Sequence, residues 1–92
     1  MIRVTGQLIC RTMAEAEMVR TYLPDHIRLS RAEPGCLTFD VVPTDDPLIW
    51  RLSETFQDGA AFEAHQQRTR ASLWFDRTRD LARDFHIEDI PA

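Results

Sequence analysis

Two side chains in the stretch from Trp50 to Gln67, WRLSETFQDGAAFEAHQQ, have the types and spacing to do acid–base chemistry. Trp50, Leu52, Glu54 and Phe56 alternate with Arg51, Ser53 and Thr55, so a period-two strand puts the first four on one face. Glu54 is then a carboxylate among three large apolar side chains, an unusual guest on a core face. His65 follows eleven residues later. Asp58 before Gly59 reads as the N-cap of a helix that carries Phe62 and His65 at i, i+3. If that helix packs back on the strand, Glu54 and His65 share a pocket. Imidazole titrates near neutral pH, and a carboxylate beside it can orient the ring and fix its tautomer. The competing reading is a Glu and a His that only tie a helix to a sheet.

The elements that must position this pair follow from the chain in order. Residues 2–10 read as a first strand, with Gly6 marking a bulge or a close backbone approach. Thr12-Met-Ala-Glu15 is a capping box, so a helix starts near Met13. Its apolar stripe is read as Ala14, Met18 and Tyr22 with Val19 and Leu23. Pro24 interrupts, giving either one kinked helix or two helices that meet there, and the pattern runs on to Ala32. Pro34-Gly35 ends it. Cys36 to Val42 is a second strand with Leu37, Phe39 and Val41 on one face, and Leu48 to Phe56 is a third, joined to it by the polar turn Pro43 to Pro47. A helix runs from Ala60 towards Gln67 with a restart at Thr69 or Arg70; Ala71, Trp74, Phe75, Thr78 and Leu81 form a further helical stripe. Ala82 to Ile90 is a short fourth strand.

The order β-α-β-β-α-β predicts an α+β, ferredoxin-like fold over a single domain, residues 1–92, with a four-stranded antiparallel sheet and both helices on one face. Apolar residues at both parities leave the other sheet face to be covered, and a second copy of the chain is the simplest cover, giving a dimeric α/β barrel. Arg51, on the strand parity opposite to Glu54, would then face the partner sheet, and His86 in the last strand reads as a surface or dimer-contact residue.

Composition narrows the partners. The chain has 92 residues, 43% hydrophobic, with a formal charge of −4, and all of its cationic side chains are arginine. The run from Arg68 to Arg83 is interleaved with Asp76, Asp80 and Asp84, a mixed-charge helix face and not a nucleic-acid footprint. No apolar run reaches the length of a membrane span, and the expected location is cytoplasmic. Cys10 and Cys36 are too few for a disulfide framework, and no Cys and His stand at metal-ligand spacing.

Three segments taken together, Ser30-Arg-Ala-Glu-Pro-Gly-Cys36-Leu, Trp50-x-x-x-Glu54-x-Phe56-x-Asp58 and Ala60-Ala-Phe62-x-x-His65, resemble the antibiotic biosynthesis monooxygenase family of the dimeric α/β-barrel superfamily. The resemblance covers nearly the whole chain. It implies a homodimer with a small-molecule cavity between sheet and helices, and oxidation of aromatic or quinol-like substrates by molecular oxygen without metal, flavin or haem. Haem-degrading relatives carry an Asn, a Trp and a His where this chain has Gln7, His65 and Phe75, so haem degradation is not expected.

Under this resemblance His65 and Glu54 take the catalytic positions. Trp50, Trp74, Phe39 and Phe62 are expected to line the substrate cavity, with His26 at its mouth; the plainer alternative for the tryptophans is core packing. The expected function is a cofactor-independent monooxygenase acting on an aromatic or quinone-like molecule. The alternatives are a non-catalytic ligand-binding barrel, or an isomerase or lyase using His65 as base.

Overall fold

A computed structural model describes residues 1–91. The elements are β1 (Ile2–Ile9), α1 (Met13–Arg31), β2 (Cys36–Pro43), β3 (Ile49–Phe56), α2 (Gly59–Arg70), α3 (Leu73–Arg77) and β4 (Ala82–Asp89). The strands form one antiparallel sheet in the order β2-β3-β1-β4. This is the expected ferredoxin-like arrangement. Among the described residues no helix is long and apolar enough to cross a membrane.

Local signals set most of the boundaries. Thr12 caps α1, its Oγ1 accepting from the Glu15 N–H at 3.2 Å. The Glu15 carboxylate reaches back to the Arg11 N–H at 2.7 Å, one residue before the position a standard capping box uses. α1 is continuous through Pro24. Pro24 lies on the exposed face, where solvent can take the carbonyl that its missing N–H leaves free.

The buried stripe of α1 is Ala16, Val19, Leu23, His26 and Ser30; it keeps the expected Val19 and Leu23 but not the Ala14–Met18–Tyr22 line. Met18 points to solvent and Tyr22 is half-buried. The 3-4-3-4 spacing of the true stripe carries His26 into the interior with Leu23.

The core lies between the helices and one sheet face. It contains Val4 and Leu8 of β1, Phe39 and Val41 of β2, Trp50, Leu52 and Phe56 of β3, and Trp74 of α3. Leu37 does not join Phe39 and Val41. A register shift between Cys36 and Thr38 breaks the β2 alternation, and Leu37 is 55% exposed. The opposite sheet face shows Arg3, Thr5, Gln7, Asp40, Arg51, Ser53 and Thr55, with Ile9, Val42 and Ile49 among its apolar members. It is therefore a largely polar surface with a few apolar side chains. Cys10 is buried and Cys36 half-buried, and both are free thiols.

The helical segment after β3 splits later than expected. α2 runs unbroken through Thr69 to Arg70, and α3 starts afresh with Ser72 as its cap, the Ser72 Oγ accepting from the Phe75 N–H at 3.1 Å. The bend at Ala71–Ser72 turns Trp74 inward, where it is buried with Thr78 and Leu81.

β4 pairs with β1 at unusually close range. Gly6 has φ +151°, and a Cβ built on it would lie 2.0 Å from the Asp84 carbonyl oxygen and 2.9 Å from the Phe85 Cα. Of the two readings of Gly6, close approach is the one observed.

Candidate active site

His65 sits two turns into α2, whose start is fixed by the Asp58 carboxylate accepting from the Ala61 N–H at 2.8 Å. The side chain is 4% exposed and packs against Phe56, with ring centroids 4.9 Å apart, and Phe39 at 5.4 Å. Its Nδ1 lies 2.7 Å from Oε1 of Glu33, and Arg68, one helical turn further on, donates from Nε to Oε2 of the same carboxylate at 2.6 Å. The guanidinium of Arg68 also donates to Ser30 Oγ at 2.8 Å. Glu33 is thus clamped between the two groups of α2. A carboxylate accepts only, so His65 Nδ1 carries the proton and Nε2 keeps its lone pair.

The turn after α1 places Glu33. Gly35 adopts φ +84°, and its carbonyl accepts from the Gln57 N–H at 2.8 Å. A Cβ on Gly35 would stand 2.6 Å from the Ala61 Cβ, so the Glu33-Pro34-Gly35 turn is pressed against the first turn of α2. That contact sets Glu33 opposite His65.

Glu54 approaches from β3, 7% exposed, on the face with Trp50, Leu52 and Phe56 as expected. Its Oε1 is 3.9 Å from His65 Nε2, too long for a hydrogen bond. Burial, reinforced by the negative charge of Glu33, raises Glu54 to about 8, so at neutral pH it is a protonated acid. Burial lowers His65 below its ordinary value, although the bond and charge of Glu33 work the other way. At neutral pH the 3.9 Å approach therefore joins two uncharged groups and is not an ion pair. Glu33, and not Glu54, is the carboxylate that orients His65 and fixes its tautomer.

His26 stacks on Trp74 with centroids 5.2 Å apart and planes 11° apart, and meets Phe39 edge-on at 5.3 Å. At 5% exposure it belongs to the wall of the site, not to a mouth. Burial first, then its electrostatic coupling to His65 and the positive charges of Arg68 and Arg83, push it down to about 3. Among the described residues its buried Nδ1 has no hydrogen-bond partner.

These side chains border one cavity of about 270 Å³ between sheet and helices. Phe39, Phe62 and Trp74 line it together with Glu54, His65 and His26. Trp50 is not on that wall; it is buried further along β3, with the Arg20 guanidinium 5.8 Å from its ring centroid. Thr69, whose hydroxyl donates to His65 Nε2 at 3.4 Å, lines the cavity as well. Nε2 thus points to the cavity side, between Thr69 and Glu54. Arg51 and His86 are exposed on the sheet.

An antiparallel four-stranded sheet with helices on one face and a cavity between the layers defines a ferredoxin-like protein with an interior cavity. The chain belongs to the antibiotic biosynthesis monooxygenase family, whose sequence pattern matches residues 1–77. Solved structures share the fold. A candidate antibiotic biosynthesis monooxygenase from Nitrosomonas europaea is 24% identical with a TM-score of 0.84, the match covering 97% of each chain. One from Deinococcus radiodurans is 18% identical with a TM-score of 0.83, covering 100% of this chain and 94% of that one. Rv0793 from Mycobacterium tuberculosis is 19% identical with a TM-score of 0.75, covering 99% and 95%. A comparison with curated proteins finds no match.

Proposed function

We propose that the protein is a cofactor-independent monooxygenase that oxidises an aromatic, quinol-like small molecule in this cavity. The observation that carries the reading is the 2.7 Å Glu33–His65 bond, which leaves the Nε2 lone pair on the cavity side as a general base. His65 takes a proton from a phenolic hydroxyl or an adjoining acidic C–H. The electron-rich anion passes an electron to O₂, and recombination gives a peroxide on carbon. Protonation and loss of water leave a carbonyl, so a CH₂ group plus O₂ becomes C=O plus H₂O. Both electrons for the water come from the substrate.

Protonated Glu54 supplies a hydrogen-bond donor for the developing oxyanion, and the aromatic walls keep water away from the anion. The test is oxygen uptake with a panel of naphthoquinols and hydroxylated polycyclic aromatics. Proton exchange into such substrates without oxygen uptake would point to the isomerase or lyase reading. Binding with neither would point to a ligand carrier.

The pH dependence follows from the two shifted groups. The base form of His65 is required, and burial holds its titration below 6.5, so the acid limb of kcat lies below that pH. The acid form of Glu54 is required as donor, and it is lost as pH rises through about 8. The rate is expected to be level at neutrality and to fall on both sides. Glu54→Gln keeps an N–H donor at every pH, so it should abolish the alkaline limb while leaving the acid one. A wild-type rate still level at pH 10 would remove Glu54 from the mechanism.

We also infer a homodimer. In its favour is the open flank of the cavity, where Phe85 and Ile87 on the inner parity of β4 remain 38% and 52% exposed. Sedimentation equilibrium at micromolar concentration is expected to give twice the chain mass. A folded monomer there would end the dimeric-barrel reading.

A further inference from the structure

Among the described residues, the cavity holds a positive charge that no carboxylate neutralises. Arg83 stands on β4 opposite Leu8 of β1, and both line the cavity. Its Nη1 donates to the carbonyls of Thr78 at 2.9 Å and Leu81 at 3.2 Å, and its Nη2 to Thr78 Oγ1 at 3.0 Å. The Thr78 hydroxyl gives its own proton to the Trp74 carbonyl at 2.6 Å, so Oγ1 is held as an acceptor. All three acceptors are neutral.

Among the described residues no carboxylate pairs with Arg83, whereas Arg3, Arg11, Arg31 and Arg68 each have one within 3.0 Å. Arg51, which also lacks such a partner, is exposed on the sheet surface. Burial lowers Arg83 below its ordinary value with no charge to offset it, yet a guanidinium keeps its proton. A half-buried cation held only by neutral groups is costly unless something else pairs with it.

The unused donors have a definite shape. A guanidinium has about five N–H groups. Nη1 makes two of the bonds and Nη2 one. The Nε–H and the second Nη2–H remain, side by side on one edge, a planar fork that matches the two oxygens of a carboxylate. Trp74 and Phe75 line the same cavity and offer flat apolar surface for a ring.

We propose that Arg83 is a specificity-determining residue whose free fork takes the carboxylate of the substrate, so the cavity selects an aromatic acid over its neutral counterpart. This rests on the cavity being the substrate site. It adds that the molecule oxidised carries a carboxylate in addition to the group that His65 deprotonates.

The test uses 2-naphthoate and its neutral isostere 2-naphthamide, titrated by calorimetry in the absence of oxygen. Wild type should bind the acid about ten- to a hundredfold more tightly, the range for a charge-assisted bidentate contact. Arg83→Gln should bring the ratio to about one, and Arg83→Lys should keep part of it, as expected of a point charge without the fork. Because the ratio is read within each variant, a general weakening of the cavity cancels.

In wild type, naphthoate should also shift the Arg83 Nε–H resonance while naphthamide leaves it in place, which needs no variant to fold. Equal binding of the two probes by wild type, no binding of either, an unchanged ratio in Arg83→Gln, or a still Nε–H signal would each overturn the subsite. The acid preference without oxygen uptake on any hydroxynaphthoate would keep the subsite and refute the oxygenase. Oxygen uptake on neutral quinols with no acid preference would do the reverse.

Discussion

His65→Ala is expected to consume oxygen about 10²–10⁴ times more slowly than wild type on any quinol that the wild type turns over, with KM little changed. The size follows from the task given to the imidazole. O₂ accepts an electron readily only from the anion, and without a base at Nε2 the substrate must reach that anion through solvent. The variant should remain folded, because Glu33 keeps its 2.6 Å bond to Arg68 and α2 keeps its Asp58 cap.

Glu33→Gln separates base from orienter. The bond and charge of Glu33 both raise His65, so removing the charge lowers it further. A glutamine amide can also donate to Nδ1 and force the proton onto Nε2. The expected result is a kcat loss of about ten- to a hundredfold with the acid limb moved to lower pH, a shift that loss of packing alone does not produce. A His65→Ala rate within threefold of wild type would remove the base from the mechanism.

The largest effect on stability is expected at Gly6. An alanine Cβ there meets the Asp84 carbonyl oxygen at 2.0 Å, which is backbone and cannot rotate away, and φ +151° suits no L side chain. Overpacking and backbone strain together place the loss at about 3–5 kcal/mol, a large share of the ~5–15 kcal/mol that holds a domain together. Urea unfolding measures it. Gly59→Ala is the control, since its Cβ would meet nothing within 4 Å at the start of α2. It should be neutral or stabilising by about 0.5–1 kcal/mol. Equal midpoints for the two variants would mean that β4 can move off β1 at little cost.

Much of the fold could be read from local signals. The Thr12 and Asp58 caps, the Pro34-Gly35 turn and the alternation of β3 act over a few residues, and each appears where it was expected. Glu54 was legible for the same reason. Glu33 was not. It precedes a proline at a helix end and reads as a turn residue, and its two partners lie 32 and 35 residues away. Periodicity carries no information on that distance. The available signal was His65 and Arg68 at i, i+3, an imidazole and a guanidinium on one helical face in want of one anion.

Other departures also have physical causes. His26 belongs to the stripe from Ala16 to Ser30, which shares Val19 and Leu23 with the expected line but turns Ala14 and Met18 outward. Leu37 left the core through a register shift that alternation cannot foresee. Arg83 shares strand parity with Phe85 and Ile87, so its inward direction could have been inferred, but its lack of a counterion could not.

The pairing of β1 with β4 has a kinetic consequence. Ile2 lies opposite Asp89, and the Ile90 N–H donates to the Met1 carbonyl at 2.7 Å, so the first and last strands close against each other. That ladder closes a loop of nearly the whole chain, whose entropic cost is offset best once the elements between are in place, so it is expected to form late in folding. Until it forms, Arg83, Phe85 and Ile87 are not in place and the cavity lacks a wall. Ligand binding and the last folding step are therefore linked. A ligand at about a hundred times its Kd would hold β4 in place with ~2.7 kcal/mol, and the nascent chain would acquire its binding site and its final strand in the same step.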